Sequence, residues 1–267
     1  MSLLKHLKIA GTLLAMGAGL LAATQASAQT IADITKRGKA RVGVLIGAPP
    51  YGSVDATGKA IGYDADVAAL VGKYLGVEIE VVQLTPPARI PALEANRIDF
   101  LVATLAPTPE RAKAVMFTIP YSAFQMGIYA KKGTAIKNWA DLKGMKVGVN
   151  RGSSVEREFT NREKELNLTI LRFEDDATTM QALFTGQVQA IAGPDAQANA
   201  AIKARGESET EVKFFFGMQP NSMTVRKDAY ELKQWLNNMI YYIKQNGELN
   251  AISEKWVGGP LPTLPTF

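Results

Sequence analysis

The stretch TLAPTPERAKAVMFT, residues 104–118, places Arg111 directly after Thr108-Pro109-Glu110. That run predicts the start of a helix, with Thr at the cap, Pro in the first position and Glu in the first turn. The amino end of a helix carries partial positive charge, so a cation there is locally unfavourable unless something negative meets it. A second pattern suited to anions is NRGSSVEREF, residues 150–159. Gly152 lets a ligand approach the backbone, and Ser153 with Glu156 has the spacing of a capping box. The free N–H groups of such a helix start, near Ser154, suit a carboxylate or a phosphate. Asp195, in QAIAGPDAQAN, follows an apolar strand and reads either as a helix cap or as the acceptor for a cation. Anion-binding groups together with a free carboxylate suit a ligand bearing both charges, and an amino acid is the simplest one.

Composition removes other chemistries. The one histidine, His6, stands in the leader discussed below, and the chain has no cysteine. Histidine general bases, Ser-His-Asp triads, thiol nucleophiles and the usual zinc sites are therefore excluded, and no cofactor or metal is expected. No catalytic group stands out either. Residues 1–28 carry Lys5 and Lys8, then an apolar run from Ile9 to Ala23, then Ala26-Ser27-Ala28. This is the pattern of a cleaved export signal, with no cysteine to take a lipid anchor. Lys5 and Lys8 account for two of the 30 basic residues, leaving 28 against 25 acidic ones. The basic residues are dispersed among acids, so no nucleic-acid stripe is present.

The elements that must position these residues alternate between strand and helix. ARVGVLIG (40–47), VEIEVVQL and IDFLVATL read as strands; DADVAALVGKYLG and ARIPALEANR read as helices. Such alternation predicts parallel α/β units. The order then begins again: KGMKVGVNRG (143–152) echoes GKARVGVLIG (38–47), and ALFTGQVQAIAG (182–193) echoes ALEANRIDFLVA (92–103). Two lobes of similar construction follow. MFTIPYSAFQMGIYAKKG and EVKFFFGMQPNSMTVRKD are β-rich segments suited to crossing between them. The tail is helical, with Leu232, Trp235, Leu236, Met239, Ile240 and Ile243 on one apolar stripe, and GGPLPTLPTF reads as an extended, loosely held end.

Read in order, GYDADVAALVGKYLG, RIPALEANRIDFLVATL, TPERAKAVMFTIPYS, LKGMKVGVNRGSS, AGPDAQA and GELNAISEKWVGG make the chain resemble the bacterial extracellular solute-binding proteins of family 3, amino-acid receptors of ABC importers. The resemblance implies that Arg111 forms a two-pronged salt bridge with the ligand's α-carboxylate, for which a guanidinium fork is suited. Backbone N–H groups near Ala106 and Ser154 would complete that site, and Asp195 would take the α-ammonium with oxygens near Thr104. Arg89, just before Ile-Pro, would reach a polar or acidic ligand side chain, and Tyr51 would line the pocket. Asp64 and Asp66 read as acids that stabilise a lobe. Three departures stand out. Ala106 replaces a common Ser or Thr, Gln189 replaces a common Asp, and Gly52 stands where receptors for basic amino acids often place an acid.

The expected architecture is an α/β, two-lobed periplasmic binding protein of the type II kind, each lobe a mostly parallel sheet flanked by helices, joined by a two-strand hinge. Residues 29–123 and 219–267 would form one lobe and 124–218 the other, with the hinge near 121–128 and 214–220. The expected protein is an exported, unanchored periplasmic monomer that captures a polar amino acid, acidic ones included. It would pass this to a permease in the inner membrane, with no nucleic-acid partner. The alternative is an exported cyclohexadienyl or arogenate dehydratase-like enzyme on the same fold.

Overall fold

The computed structural model describes residues 30–206 and 209–264. The export signal read at 1–28 lies outside them. Helix α1 (Ile31–Arg37) opens on a Thr30 capping box and stops at Gly38, which takes the left-handed conformation that glycine adopts without steric cost. Then follow β1 (Lys39–Leu45), a short hairpin of β2 (Ser53–Val54) and β3 (Ala60–Ile61), α2 (Tyr63–Leu75), β4 (Glu78–Leu84), α3 (Arg89–Glu94) and β5 (Phe100–Leu105). The long β6 (Val115–Lys131) leads to β7 (Lys146–Asn150), α4 (Ser154–Arg162), β8 (Thr169–Phe173), α5 (Asp176–Phe184), β9 (Ala190–Pro194) and α6 (Asp195–Arg205). A second long strand, β10 (Thr210–Arg226), precedes α7 (Tyr230–Gln245) and α8 (Glu248–Val257).

Eight strands form one sheet in the order β4-β1-β5-β10-β6-β9-β7-β8. In one lobe β1 lies parallel between β4 and β5; in the other β7 lies parallel between β8 and β9. The pseudo-repeat of the sequence is thus a repeat of topology, and each lobe is a mostly parallel α/β layer. The antiparallel pair β6 and β10 joins them. β10 pairs with β5 through Ser222, Thr224 and Val225, whereas β6 pairs with β9 through Met126 to Ala130. Register shifts at Asn221/Ser222 and Ser222/Thr224 bend this ribbon at the passage between lobes.

Packing explains which expectations for the periphery hold. Leu232, Leu236, Met239, Ile240 and Ile243 are buried on α7, while Trp235 is only partly covered. Asp66 accepts hydrogen bonds from Trp256 Nε1 and Lys255 Nζ, each at 2.7 Å, and so ties α2 to α8. The Pro-rich end is held more firmly than its composition suggests: Leu261 N–H donates to Asn250 Oδ1 at 3.0 Å and Leu264 is buried. The helix expected after Thr108 is reduced to a 3-10 turn over Arg111–Lys113, with Thr108 Oγ1 accepting from Arg111 N–H at 3.3 Å. Ala114 leads directly into β6, which leaves no length for an α-helix.

Gly52 has a steric cause. Its N–H and C=O both bond Ala48 in a tight turn, and a Cβ there would lie 1.8 Å from the Leu45 carbonyl oxygen. No acid can stand at 52 without moving this backbone. Gly52→Asp should lower stability by at least about 1–3 kcal/mol through overpacking and confer no binding of arginine; an unchanged urea midpoint would contradict this steric account.

Candidate functional site

Between the lobes lies a cleft of about 450 Å³, counting its open mouth, and Arg89, Thr104, Arg111, Ser154, Asp176, Gln197 and Gln219 are among its lining residues. Phe124 and Met126 from the ribbon supply apolar surface.

Lobe 1 contributes the end of β5. Thr104 has φ 44°, a left-handed value that is costly for a β-branched residue. Three groups hold it there. Its N–H donates to Tyr121 Oη at 3.0 Å, and Tyr121 in turn donates to Asp64 Oδ1 at 2.7 Å. Its carbonyl accepts from Arg89 at 3.3 Å. Asp64 is wholly buried, and desolvation pushes its carboxyl well above the usual range, against the Tyr121 hydrogen bond and the field of Arg89. Asp64 is therefore a support beneath the cleft, in keeping with a lobe-stabilising acid.

Arg89 is 4% exposed, and its donors point at carbonyl oxygens: Pro86 and Ala103 at 2.9 Å each, Thr104, and Gly152 of the other lobe at 3.4 Å. Arg111 is 9% exposed and donates to Ala106 O at 2.9 Å and to Gly152 O at 2.8 Å. Both guanidiniums therefore reach across the cleft to one carbonyl. Burial draws the Arg89 guanidinium down to about 9 and that of Arg111 to about 10, with the neighbouring arginine lowering Arg89 further and Arg157 lowering Arg111. Both remain charged at neutral pH. No carboxylate forms an ion pair with either among the described residues.

Lobe 2 contributes three helix starts. Ser153 caps α4 by accepting from Glu156 N–H at 3.0 Å. Glu156 reaches one residue further back than a capping box requires and takes the Gly152 N–H at 2.6 Å. That N–H is thus engaged within its own loop, and Gly152 presents its carbonyl to the cleft instead. Gly152 also has φ +71°, and a Cβ there would sit 3.1 Å from Pro87 Cα of lobe 1. The N–H groups of Ser154 and Val155 occupy the first turn of α4, where the helix provides no acceptor. Ser154 Oγ hydrogen-bonds Gln219. Across the seam Ala177 N–H donates to Gly47 O at 3.0 Å, and Arg157 pairs with Glu110. The lobes are closed on each other.

The cleft thus brings together Arg89, Arg111, Thr104 and Ser154 of the residues expected from sequence, with Gly152 and Ala106 meeting the arginines through their carbonyls. It does not bring in Tyr51 or Asp195. Tyr51 is buried against Tyr63 and Phe124, with its hydroxyl donating to Ala123 O at 3.4 Å. Asp195 Oδ1 accepts from Gln125 N–H of β6 at 3.2 Å and from Ala196 N–H at 2.8 Å, and the lining residue at that point is Pro194. Burial raises the Asp195 carboxyl, against those two backbone hydrogen bonds. Asp176 and Gln197 line the cleft although no motif in the sequence singles them out; each sits near a helix start, where Asp and Gln commonly have purely local roles.

Two α/β lobes joined by a β-ribbon, with buried cations at their seam, define a two-lobed solute-binding protein. The chain belongs to the bacterial extracellular solute-binding proteins, family 3, whose profile matches residues 40–259. It is 28% identical over 246 residues to the L-cystine-binding protein TcyJ of Escherichia coli (strain K12), covering 91% of this chain and 92% of that one. Among solved structures it resembles the solute receptor for L-cysteine of Neisseria gonorrhoeae, at 32% identity and TM-score 0.79, over 85% of this chain and 93% of that one. It also resembles the ancestral amino acid-binding protein AncCDT-1, a precursor of cyclohexadienyl dehydratase. There the identity is 32% and the TM-score 0.78, over 86% of this chain and the whole of the other. Among the described residues no helix is long and apolar enough to cross a membrane, and no cluster of His, Cys, Asp and Glu could hold a metal.

Tyr121 makes the clearest mutational target in the framework. Tyr121→Phe leaves the Thr104 N–H and the Asp64 carboxyl without their shared partner, and should lower stability by about 1–3 kcal/mol. Urea denaturation measures this, and a change within error would show that the Thr104 bend holds without that hydroxyl.

Proposed function

We propose that this protein is the periplasmic receptor of an amino-acid ABC importer: it captures a polar amino acid, acidic ones included, between its lobes and delivers it to a permease in the inner membrane. The export pattern at residues 1–28 supports the compartment. The cystine- and cysteine-binding names of its relatives support the ligand class.

One observation carries the reading: Arg89 and Arg111 are two buried guanidiniums on one wall of a cleft, without a carboxylate ion pair among the described residues. Like charges out of water disfavour each other, and carbonyl dipoles offset this only in part. A ligand carboxylate on the Arg111 fork supplies the missing charge, and the N–H groups at the start of α4 face the same anion from the other lobe. Such a ligand touches both lobes, which is the differential contact that closure requires. Arg89 stands ready for a second acceptor on the ligand, which favours polar and acidic side chains.

A second reading has one observation in its favour. Desolvation pushes Asp176 up to about 6, against a hydrogen bond from Asn150, so this cleft carboxyl can hold a proton near neutral pH. A cyclohexadienyl or arogenate dehydratase-like enzyme would need such a general acid. Turnover of prephenate or arogenate by the purified protein would establish it, and its absence returns Asp176 to binding.

Isothermal titration of ligand-stripped protein with the common amino acids tests the receptor directly. Arg111→Ala should weaken the tightest ligand by about 3–5 kcal/mol, because its carboxylate is left buried and unpaired. That corresponds to roughly a hundredfold to several thousandfold. Affinity retained within threefold would remove Arg111 from the site.

A further inference from the structure

The acceptor end of the cleft is formed by Gln197, two residues beyond Asp195 on α6, and by Asp176 on the preceding helix α5. On α6, Gln197 is 3% exposed and lines the cleft, and its Oε1 has no hydrogen-bond partner among the described residues. A buried carbonyl oxygen left unpaired is costly, so its persistence in a cleft wall points to a donor that arrives from outside. Asp176, at the first turn of α5, lines the same wall. A side recess of about 210 Å³ runs between the starts of α5 and α6, shared by Asp176, Gln197, Ala192, Gly193 and Pro194. Gly193 borders this recess beside Asp176, whose Oδ1 lies 3.9 Å from where a Cβ on Gly193 would stand. Asp195, by contrast, holds the Gln125 N–H of the ribbon.

We propose that Asp176 and Gln197 form the subsite that takes the ligand's ammonium group, and that Asp195 serves the hinge ribbon instead. This rests on the amino-acid reading above. The ligand's carboxylate then lies against Arg111 of lobe 1 and its ammonium against α5 and α6 of lobe 2, so the two charges of one small molecule bridge the seam. The charged groups facing Asp176 are Arg89 across the cleft and Asp175 on its own turn, and Asn150 of β7 hydrogen-bonds it. An ammonium binds the ionised carboxyl, so ligand and proton compete for Asp176. The proton is held below about 6 in the ligand-free protein, and affinity should fall as the pH drops through that value.

The test titrates ligand-stripped protein with the twenty common L-amino acids and with L-cystine. The tightest is then compared with the same acid lacking its α-amino group; for glutamate this is glutarate. The desamino acid should bind at least about 30-fold more weakly to the wild type. Asp176→Asn should weaken the amino acid by a similar factor, while leaving the desamino acid nearly unchanged. Asp195→Asn should leave both within about threefold. Gln197→Met keeps the volume and removes the unpaired oxygen. It should weaken the amino acid about tenfold yet raise the melting temperature of the ligand-free protein, a combination that a purely structural glutamine would not give. Desamino binding equal to that of the amino acid, or a large loss at Asp195→Asn with none at Asp176→Asn, overturns the proposal while the receptor reading stands. Affinity that rises below pH 6 also overturns it. If neither L-cystine nor any of the twenty binds, the receptor reading fails and this subsite fails with it.

Discussion

Two guanidinium groups held out of water at the meeting of two lobes are the constraint around which this molecule is arranged. Among the described residues neither Arg89 nor Arg111 has a carboxylate ion pair, and both donate to the Gly152 carbonyl of the opposite lobe. A neutral oxygen is a weak partner for a desolvated cation compared with a carboxylate. The seam is therefore stable enough to close and still favours an anion over its own carbonyl. Closure and recognition draw on the same donors, so a ligand that satisfies them changes the relative stability of open and closed forms rather than simply filling space.

The rest of the framework keeps those donors in place. Arg89 spends most of its hydrogen bonds on Pro86, Ala103 and Thr104, fixing the end of β5 where the chain bends into an unfavourable backbone conformation. Tyr121 and Asp64 brace that bend from the core side. Strain at Thr104 is thus carried by a buried hydrogen-bonded chain, and Arg89 acts as a clamp on the framework as well as a charge in the cleft. Across the seam the bulged ribbon of β6 and β10 lets the lobes share one sheet. Glycine at 152 permits the close approach to Pro87 that brings its carbonyl within reach of both arginines.

Much of this was legible in the sequence, for physical reasons that can be named. The repeated order of strand, helix and strand showed in the echo of residues 38–47 by 143–152, because parallel strands buried on both faces need unbroken apolar runs. Ser153 announced a helix start, and Arg111 stood out as a cation in an awkward place. Other features were hidden. Thr108-Pro109-Glu110 carried every sign of a helix start, but the chain must turn at once into β6, and tertiary pairing overrides local preference. Tyr51 looked like a pocket aromatic because sequence separates cleft from core poorly. Gln197 is a neutral amide on a weakly amphipathic helix, and only its unpaired oxygen in three dimensions singles it out.

Asp195 shows most sharply how one position matters. At the junction of β9 and α6 the lining residue is Pro194, whose backbone is extended, and successive side chains along extended chain point to opposite sides. The carboxylate that sequence assigned to a ligand is thereby turned to the ribbon, and the cleft has Asp176 as its own acid. This fixes the charge the cleft presents: two guanidiniums against one carboxyl leave a net positive charge of one when Asp176 is ionised. An acidic amino acid, with two carboxylates and one ammonium, neutralises that arrangement group by group. A protonated Asp176 would instead leave two positive charges, matching a dicarboxylic acid that lacks the amine. On the proposed amino-acid reading, the ionisation of this one carboxyl would set which of the two ligand types the cleft's charge matches.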